Sequence, residues 1–507
     1  MKDLTKGNEG RQILTFAVPM LIGNVFQQLY NIVDSIVVGK YVGSVALAAV
    51  GASFPILFTL SALIGGVTIG GSVLVSQYFG AKNFEKVKIT SDTLQIFLLI
   101  SSAILSVIFF VFSRDIFILL SIPPEVLPDA VKYFDIIILT TTVPTFAMFG
   151  ISAILRGLGN SKTPIYFIVF SIVLNIILDL VFVLVFHWGV AGVAWATAIA
   201  SILAWFALWY YLNKRESLIR FSLNFKHWKF DKENFYLSLK IGLPSGIQQT
   251  LVGLGSMALL GIVSPFGVAT LAAYTAAGRV DMFVSMPSMN LAAALSSFVA
   301  QNIGAGKLDR IKNGVKSTMI FSSLICIFLS LVVVVFGEEI MSLFVEQNAP
   351  HHTEIIAIGK EYLVIVTSFY IVFSSMLVLN GMTRGAGATL IPMLITTLSL
   401  WIIRIPIAYF LADKFGASGI WWSIPIGWSA GFVGAFIYYK SGYWKRHTVN
   451  ATLSFFCLLV HLQASSAGFF CRPLLQASSA GSFCMLLLHA PSACSFCMLL
   501  LHAISCR

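Results

Sequence analysis

The sequence predicts an all-α membrane protein, with twelve transmembrane helices in two six-helix bundles related by a pseudo-two-fold axis. Three observations carry that expectation. The chain is 58% hydrophobic and only 10% charged, with mean hydropathy +0.90, which excludes an ordinary soluble globule. Its apolar stretches reach the roughly 20 residues that a spanning helix needs, and strand-type alternation, the mark of an outer-membrane barrel, is absent. Finally, the chain is written twice. Q-Y-F-G-A-K from Gln77 returns as Q-N-I-G-A-G-K from Gln301, and R-G-L-G from Arg156 returns as R-G-A-G from Arg384. H-W-G-V-A-G-V-A-W from His187 comes back as K-F-G-A-S-G-I-W-W from Lys414, so the offset stays between 224 and 228 residues.

Taken in order, the spans start near Leu14, Ala46, Ser91, Tyr133, Thr163 and Val190 in the first copy, and near Leu237, Val268, Val315, Glu361, Thr389 and Ser418 in the second. Lys2, Lys6 and Arg11 precede the first apolar run, which outlasts a signal peptide's apolar region and has no A-x-A site after it. It is expected to be a retained helix that starts in the cytoplasm. Lysines and arginines support that orientation, because they concentrate in cytoplasmic loops. Lys82, Lys86, Lys88, Arg156, Lys162, Lys307, Arg310 and Arg384 fall on the N-terminal side, with the basic stretch around Lys214 to Lys240. The opposite side holds Lys40, Arg114, Lys132, Lys360 and Lys414. The net charge of +11 is thereby accounted for by topology, and no nucleic-acid partner is expected.

The stretch from Asn213 to Asn234, with Phe221, Phe225 and Trp228 among its basic residues, is too polar to span. The expected division is a first lobe over residues 1–213, a cytoplasmic linker over 214–236, a second lobe over 237–446 and a tail over 447–507. An even number of spans per copy sets both copies the same way up, about an axis along the membrane normal, with a cavity between them. The tail repeats every thirteen residues from Leu462, with Cys471, Cys484 and Cys497 in register, and is expected to lie outside the fold. Its C-x-x-C at Cys494 and Cys497 reads as a by-product of the repeat rather than a metal site.

Charged side chains at membrane depth are costly and therefore mark function. Asp34 lies in the first span and Asp179 in the fifth, where Asn175 sits four residues earlier and so on the same helix face. Thr197 in the sixth span adds a hydroxyl. Together these make an all-oxygen set suited to a hard cation or, when empty, a proton. The second copy has no acidic counterpart of Asp34 or Asp179. It does have Asp281, two residues after Arg279 and open to simple neutralisation by it, and Arg404, open to pairing with an acid or a helix end. Pro19 shares a helix with Asp34 and can couple the carboxylate to helix bending. Gln27, Gln28, Tyr30, Asn31, Gln248, Gln249 and Tyr274 are polar groups expected to line the cavity. Met282, Met286 and Met289 form an adaptable stripe. The G-G-V-T-I-G-G run from Gly65 is expected to serve close helix packing. H-E-x-x-H, the P-loop pattern and G-x-S-x-G are all missing, so neither an enzyme nor ATP-driven pumping is expected, and no cofactor.

In the opening A-V-P-M-L-I-G-N-V-F-Q-Q-L-Y-N-I-V-D, the two Q-x-x-G-A signals and the two R-G-x-G signals, the chain resembles the multidrug and toxic compound extrusion (MATE) family over roughly residues 10 to 446. The resemblance implies twelve helices in two lobes. It also implies export of amphipathic, often cationic compounds in exchange for Na⁺ or H⁺ across the inner membrane. Asp34, Asn175, Asp179 and Thr197 match the cation site of the prokaryotic branch that carries it in the first lobe, and Pro19 matches that branch's bending proline. A monomer in the lipid bilayer is expected. The alternative is a flippase for lipid-linked oligosaccharides on the same twelve-helix layout.

Overall fold

The computed structural model describes residues 2–215, 218–221, 228–345 and 351–447. The tail repeats and Phe225 lie outside the described residues. Every regular element among the described residues is helical. The spans are α1 (Glu9–Val42), α2 (Ser44–Gly80), α3 (Phe84–Val111), α4 (Leu127–Thr140 with Thr142–Gly157), α5 (Lys162–Val185) and α6 (Gly189–Arg215). The second six are α7 (Lys232–Phe266), α8 (Val268–Gly304), α9 (Leu308–Ser342), α10 (His352–Ser368 with Tyr370–Gly385), α11 (Leu390–Phe415) and α12 (Ala417–Ser441). Half of them begin five or more residues ahead of the apolar stretches, and polar caps start three of these, α1, α3 and α7. Asn8, Asn83 and Asp231 each accept a main-chain N–H three residues on, with Glu9, Glu85 and Glu233 in the first turn against the positive helix end. The Asp231 cap starts α7 inside the stretch expected to be linker.

The helices face lipid with their apolar side and each other with small or polar residues. On α3, Ile100, Ile104, Val107 and Val111 form an exposed stripe, while Gln95, Ser102 and Ser106 are buried. This inversion of soluble amphipathicity follows from a solvent as apolar as leucine, in which helices gain by close contact and hydrogen bonds rather than by hiding hydrocarbon.

The duplication is visible in detail. Gly43 and Gly267 hold the α1–α2 and α7–α8 turns at φ 122° and 98°, values that a side chain would strain. The fourth and tenth spans are both broken, by 49° and 51°. Pro144 accounts for the first break, since it cannot donate to the turn before it; α10 has no proline there. What the two share is a serine on the preceding span: Ser106 donates to the Ile138 carbonyl, and Ser330 to that of Thr367 at 2.7 Å. Each hydroxyl ties the carbonyl side of a break to the preceding span, alongside the Thr142 hydroxyl that also donates to Ile138 (2.7 Å).

The two bundles meet along a seam at the face that carries the N-terminus, here the N-side. α2 and α7 touch backbone to backbone: a Cβ added to Gly70 would lie 2.1 Å from the Ser238 carbonyl oxygen, and one on Gly242 2.5 Å from that of Gly66. The glycine run thus packs helices, as expected. Phe58 still lies beside Gly253, but one turn further Phe54 and Met257 are 64% and 63% exposed, so the bundles part toward the opposite face. A short N-terminal strap crosses the seam. Lys2 N–H donates to Leu158 of the first bundle (3.3 Å) and Leu4 N–H to Gln301 of the second (2.9 Å). Lys307 and Asn302 hold the strap's carbonyls at Thr5 and Leu4.

Candidate ion site and the N-side seam

Three spans of the first bundle, α1, α5 and α6, bring Asp34, Asn175, Asp179 and Thr197 together. Asp179 is 1% exposed and Asn175 3%; Asp34 and Thr197 are half-buried. The amide orientation that satisfies both its ends points the Asn175 nitrogen at Asp179 Oδ2 (3.0 Å) and its oxygen at the Thr197 main-chain N–H (3.1 Å). The Thr197 hydroxyl lies 3.2 Å from the same amide oxygen. The two carboxylates repel each other, and Tyr30 and Tyr133 face both. One oxygen of each acid, Asp34 Oδ1 and Asp179 Oδ1, is buried without a hydrogen-bond partner. A buried orphan oxygen is costly. Two of them on adjacent, mutually repelling acids suit a proton or a small hard cation, and neutral oxygens are at hand to complete a shell. Among the described residues no three His, Cys, Asp or Glu are grouped so as to hold a metal ion.

Local backbone geometry places these acids. α1 runs helical through Pro19 and ends in a π-helical turn at Val38–Val42, just after Asp34. α5 ends in another at Val181–Val185, just after Asp179. Each turn inserts a residue and so re-aims the side chains beyond it. The turns carry Val38 and Val183 into an apolar cluster with Tyr133, Ile137, Val190 and Val193, and Tyr133 of that cluster faces both acids. Asp34 therefore sits in the half of α1 away from the N-side, eight residues from its end.

The repeated signals meet at the seam. Gln77 of the first Q-x-x-G-A signal donates to the Gly385 carbonyl of the second R-G-x-G signal (3.2 Å), and Gln301 of the second donates to Gly157 of the first (2.9 Å). Gly80 and Gly304 let the two α2 and α8 ends approach, since a Cβ on either would lie 2.0 or 1.8 Å from the opposite glutamine's carbonyl oxygen. In the sequence these signals mark the repeat; in the structure each copy's glutamine reads the other copy's glycine.

A sequence profile of the MatE family matches residues 19–181 and 244–410, the two bundles in turn. The chain belongs to the MATE family. It is 31% identical over 453 residues to the probable multidrug resistance protein YoeA of Bacillus subtilis, covering 88% of this chain and 96% of that one. It is 26% identical over 434 residues to the multidrug export protein MepA of Staphylococcus haemolyticus, covering 85% and 93%. A solved structure of a multidrug resistance MATE family transporter in an outward-facing conformation superposes with a TM-score of 0.80 at 23% identity, over 87% of this chain and 98% of that one. MATE proteins are transporters, and this one is a multi-pass membrane protein rather than an enzyme.

The second MATE bundle is built differently at the matching depth. Asp281 accepts a hydrogen bond from Tyr370 and lies within electrostatic reach of Arg404, whose own α11 carries a third π-helical turn at Ser399–Arg404. Neutralisation of Asp281 by Arg279 does not occur: two residues apart on a helix the side chains diverge by about 200°, and Arg279 is exposed. Of the polar residues expected at the cavity, Gln28 reaches Met282 across the seam (2.9 Å) and holds Asn31 (3.0 Å), while Gln27 and Gln249 are exposed. Gln248 instead bonds Thr396 within its own bundle. Tyr274 stacks on Trp421 (5.6 Å) and meets Tyr362 (5.7 Å), and Met286 is buried, so both turn into the second bundle. Tyr133 and Tyr370 escape a reading of the sequence, because a lone tyrosine in an apolar run carries no charge to single it out.

Proposed function

We propose that this chain is a secondary active antiporter of the plasma membrane. It exports amphipathic, often cationic drugs or metabolites in exchange for Na⁺ or H⁺ by alternating access, as a monomer with its N-terminus in the cytoplasm. The observation that carries this reading is the buried Asp34–Asp179 pair with one orphan oxygen on each acid. On this reading the N-side seam is the closed cytoplasmic gate, and the bundles open outward. An ion entering from outside neutralises the acids beside Asn175 and Thr197, and α1 rearranges around Pro19 to weaken the hold on substrate. Residues 1–213 act as the ion-binding lobe, 237–446 as its partner and 214–236 as the link. Exposed Gln27, Asn31 and Met282 lie where the bundles part, and supply polar and adaptable contacts.

The relatives named for multidrug resistance and export support the substrate class. Each elementary charge moved across the membrane gains about 2.3 kcal/mol per 100 mV. Exchange of a monovalent drug for one cation therefore draws on the ion's concentration gradient alone. The test is efflux of a fluorescent cation from proteoliposomes under separately imposed sodium and pH gradients. One gradient is expected to drive efflux, and Asp34→Asn to abolish the response; indifference to both gradients sinks the proposal.

A further inference from the structure

The reciprocal glutamine bonds border a small cavity of about 60 Å³ between the bundles. Its wall carries Arg156 and Arg384, the arginines of the two R-G-x-G signals, with Ser72 and Ser76 from α2 and Ser296 and Ser297 from α8. No carboxylate lines it, and neither guanidinium has a hydrogen bond or ion pair among the described residues. Arginine does not deprotonate in proteins. Closing the seam therefore leaves two arginines without a partner on the wall of one cavity, and burying an unpaired charge costs free energy that an anion there would offset.

We propose that Arg156 and Arg384 form a binding site for one small oxyanion of the phosphate type, which bridges the two bundles and holds the N-side closed. The planar guanidinium fork matches the oxygens of a tetrahedral anion two at a time. The Ser76 hydroxyl is committed to the Gly157 carbonyl (3.1 Å), which leaves Ser72, Ser296 and Ser297 to add donors. Met20, Ile69, Val73 and Ala293 complete the wall with apolar surface that limits competing water. Each bundle contributes one arginine, so the site is whole only while the seam is shut. An anion that binds only the shut form shifts the equilibrium toward it by mass action. The second bundle's Asp281–Arg404 cluster is less suited to an anion, because although Arg404 Nε has no hydrogen-bond partner the Asp281 carboxyl lies within electrostatic reach of the guanidinium.

The experiment uses the full purified chain in detergent at constant pH and ionic strength, with gluconate as the inert anion. Inorganic phosphate is expected to raise Tm saturably, by at least about 2 °C; chloride at equal ionic strength is expected to have no such effect. Short-chain phosphatidic acid, in place of phosphate, separates a lipid headgroup from the free ion: stabilisation by the lipid alone overturns a free-ion site. Arg156→Gln and Arg384→Gln should each remove the phosphate effect, while Arg384→Lys, which keeps the charge but loses the fork, should weaken apparent affinity about tenfold. Spin labels at Glu85→Cys and Asp309→Cys, in a background with the native cysteines replaced by serine, report the gate. Phosphate should enrich the short-distance population in wild type and leave it unchanged in Arg156→Gln. A Tm rise that survives both Gln variants, or an equal rise with chloride, overturns the proposal.

Discussion

Asp179 and Asn175 sit four residues apart on α5, yet they have different work to do. Asp179 offers a carboxyl with an orphan oxygen; Asn175 donates to its other oxygen and accepts from Thr197. Asp179→Asn is therefore expected to reduce coupled efflux to background with insertion intact, as judged by membrane yield and elution profile. Asn175→Leu should leave transport at high ion concentration but raise the ion concentration for half-maximal efflux by about 10- to 100-fold, the usual cost of losing an orienting partner. Equal loss in both variants at every ion concentration would contradict that division. The acids and Asn175 were legible in the sequence because ionisable groups inside apolar runs are conspicuous. Tyr133 was not, since its approach to the acids depends on how α4 packs, which no local pattern encodes.

At the level of the helix, departures from ideal geometry concentrate where chemistry or closure is needed. Three π-helical turns adjoin Asp34, Asp179 or include Arg404, and two spans break where a serine of the preceding span donates to a carbonyl beside the break. Apolar length and the capping residues announce the spans, but a π turn leaves no compositional trace. The α10 break is equally silent, having no proline, whereas Pro144 at least hints at that in α4. Ser106→Ala and Ser330→Ala are each expected to cost about 0.6 to 1.7 kcal/mol, the range found for interhelical hydrogen bonds in membranes, measured by denaturant unfolding in mixed micelles. A null effect in both would show that the exposed carbonyls find other partners.

Across the whole molecule, the seam sets which face is closed. Gly304→Val would place a branched side chain against the Gln77 carbonyl, where a Cβ alone lies 1.8 Å away. Overpacking of this kind costs about 1 to 3 kcal/mol, enough to shift a two-state balance about 5- to 150-fold. A cysteine placed at Ile69 should then react faster with a membrane-impermeant thiol reagent applied from the N-side. Unchanged labelling would mean the seam closes by another route. The twofold writing of the chain was plain from Gln77 and Gln301 alone; that each glutamine serves the opposite copy needed the three-dimensional arrangement.

That reciprocity has the geometry of an isologous dimer, in which one patch meets the same patch of its mate. A lone six-helix unit bearing both signals satisfies neither, because its glutamine and its glycine carbonyl each need a second unit in the same orientation. The joined chain thus retains the interface of a parallel homodimer, and its covalent link supplies proximity rather than the fit. Separate expression of residues 1–221 and 222–507 in one cell should accordingly rebuild a working transporter, detectable as copurification of the two pieces and recovery of efflux.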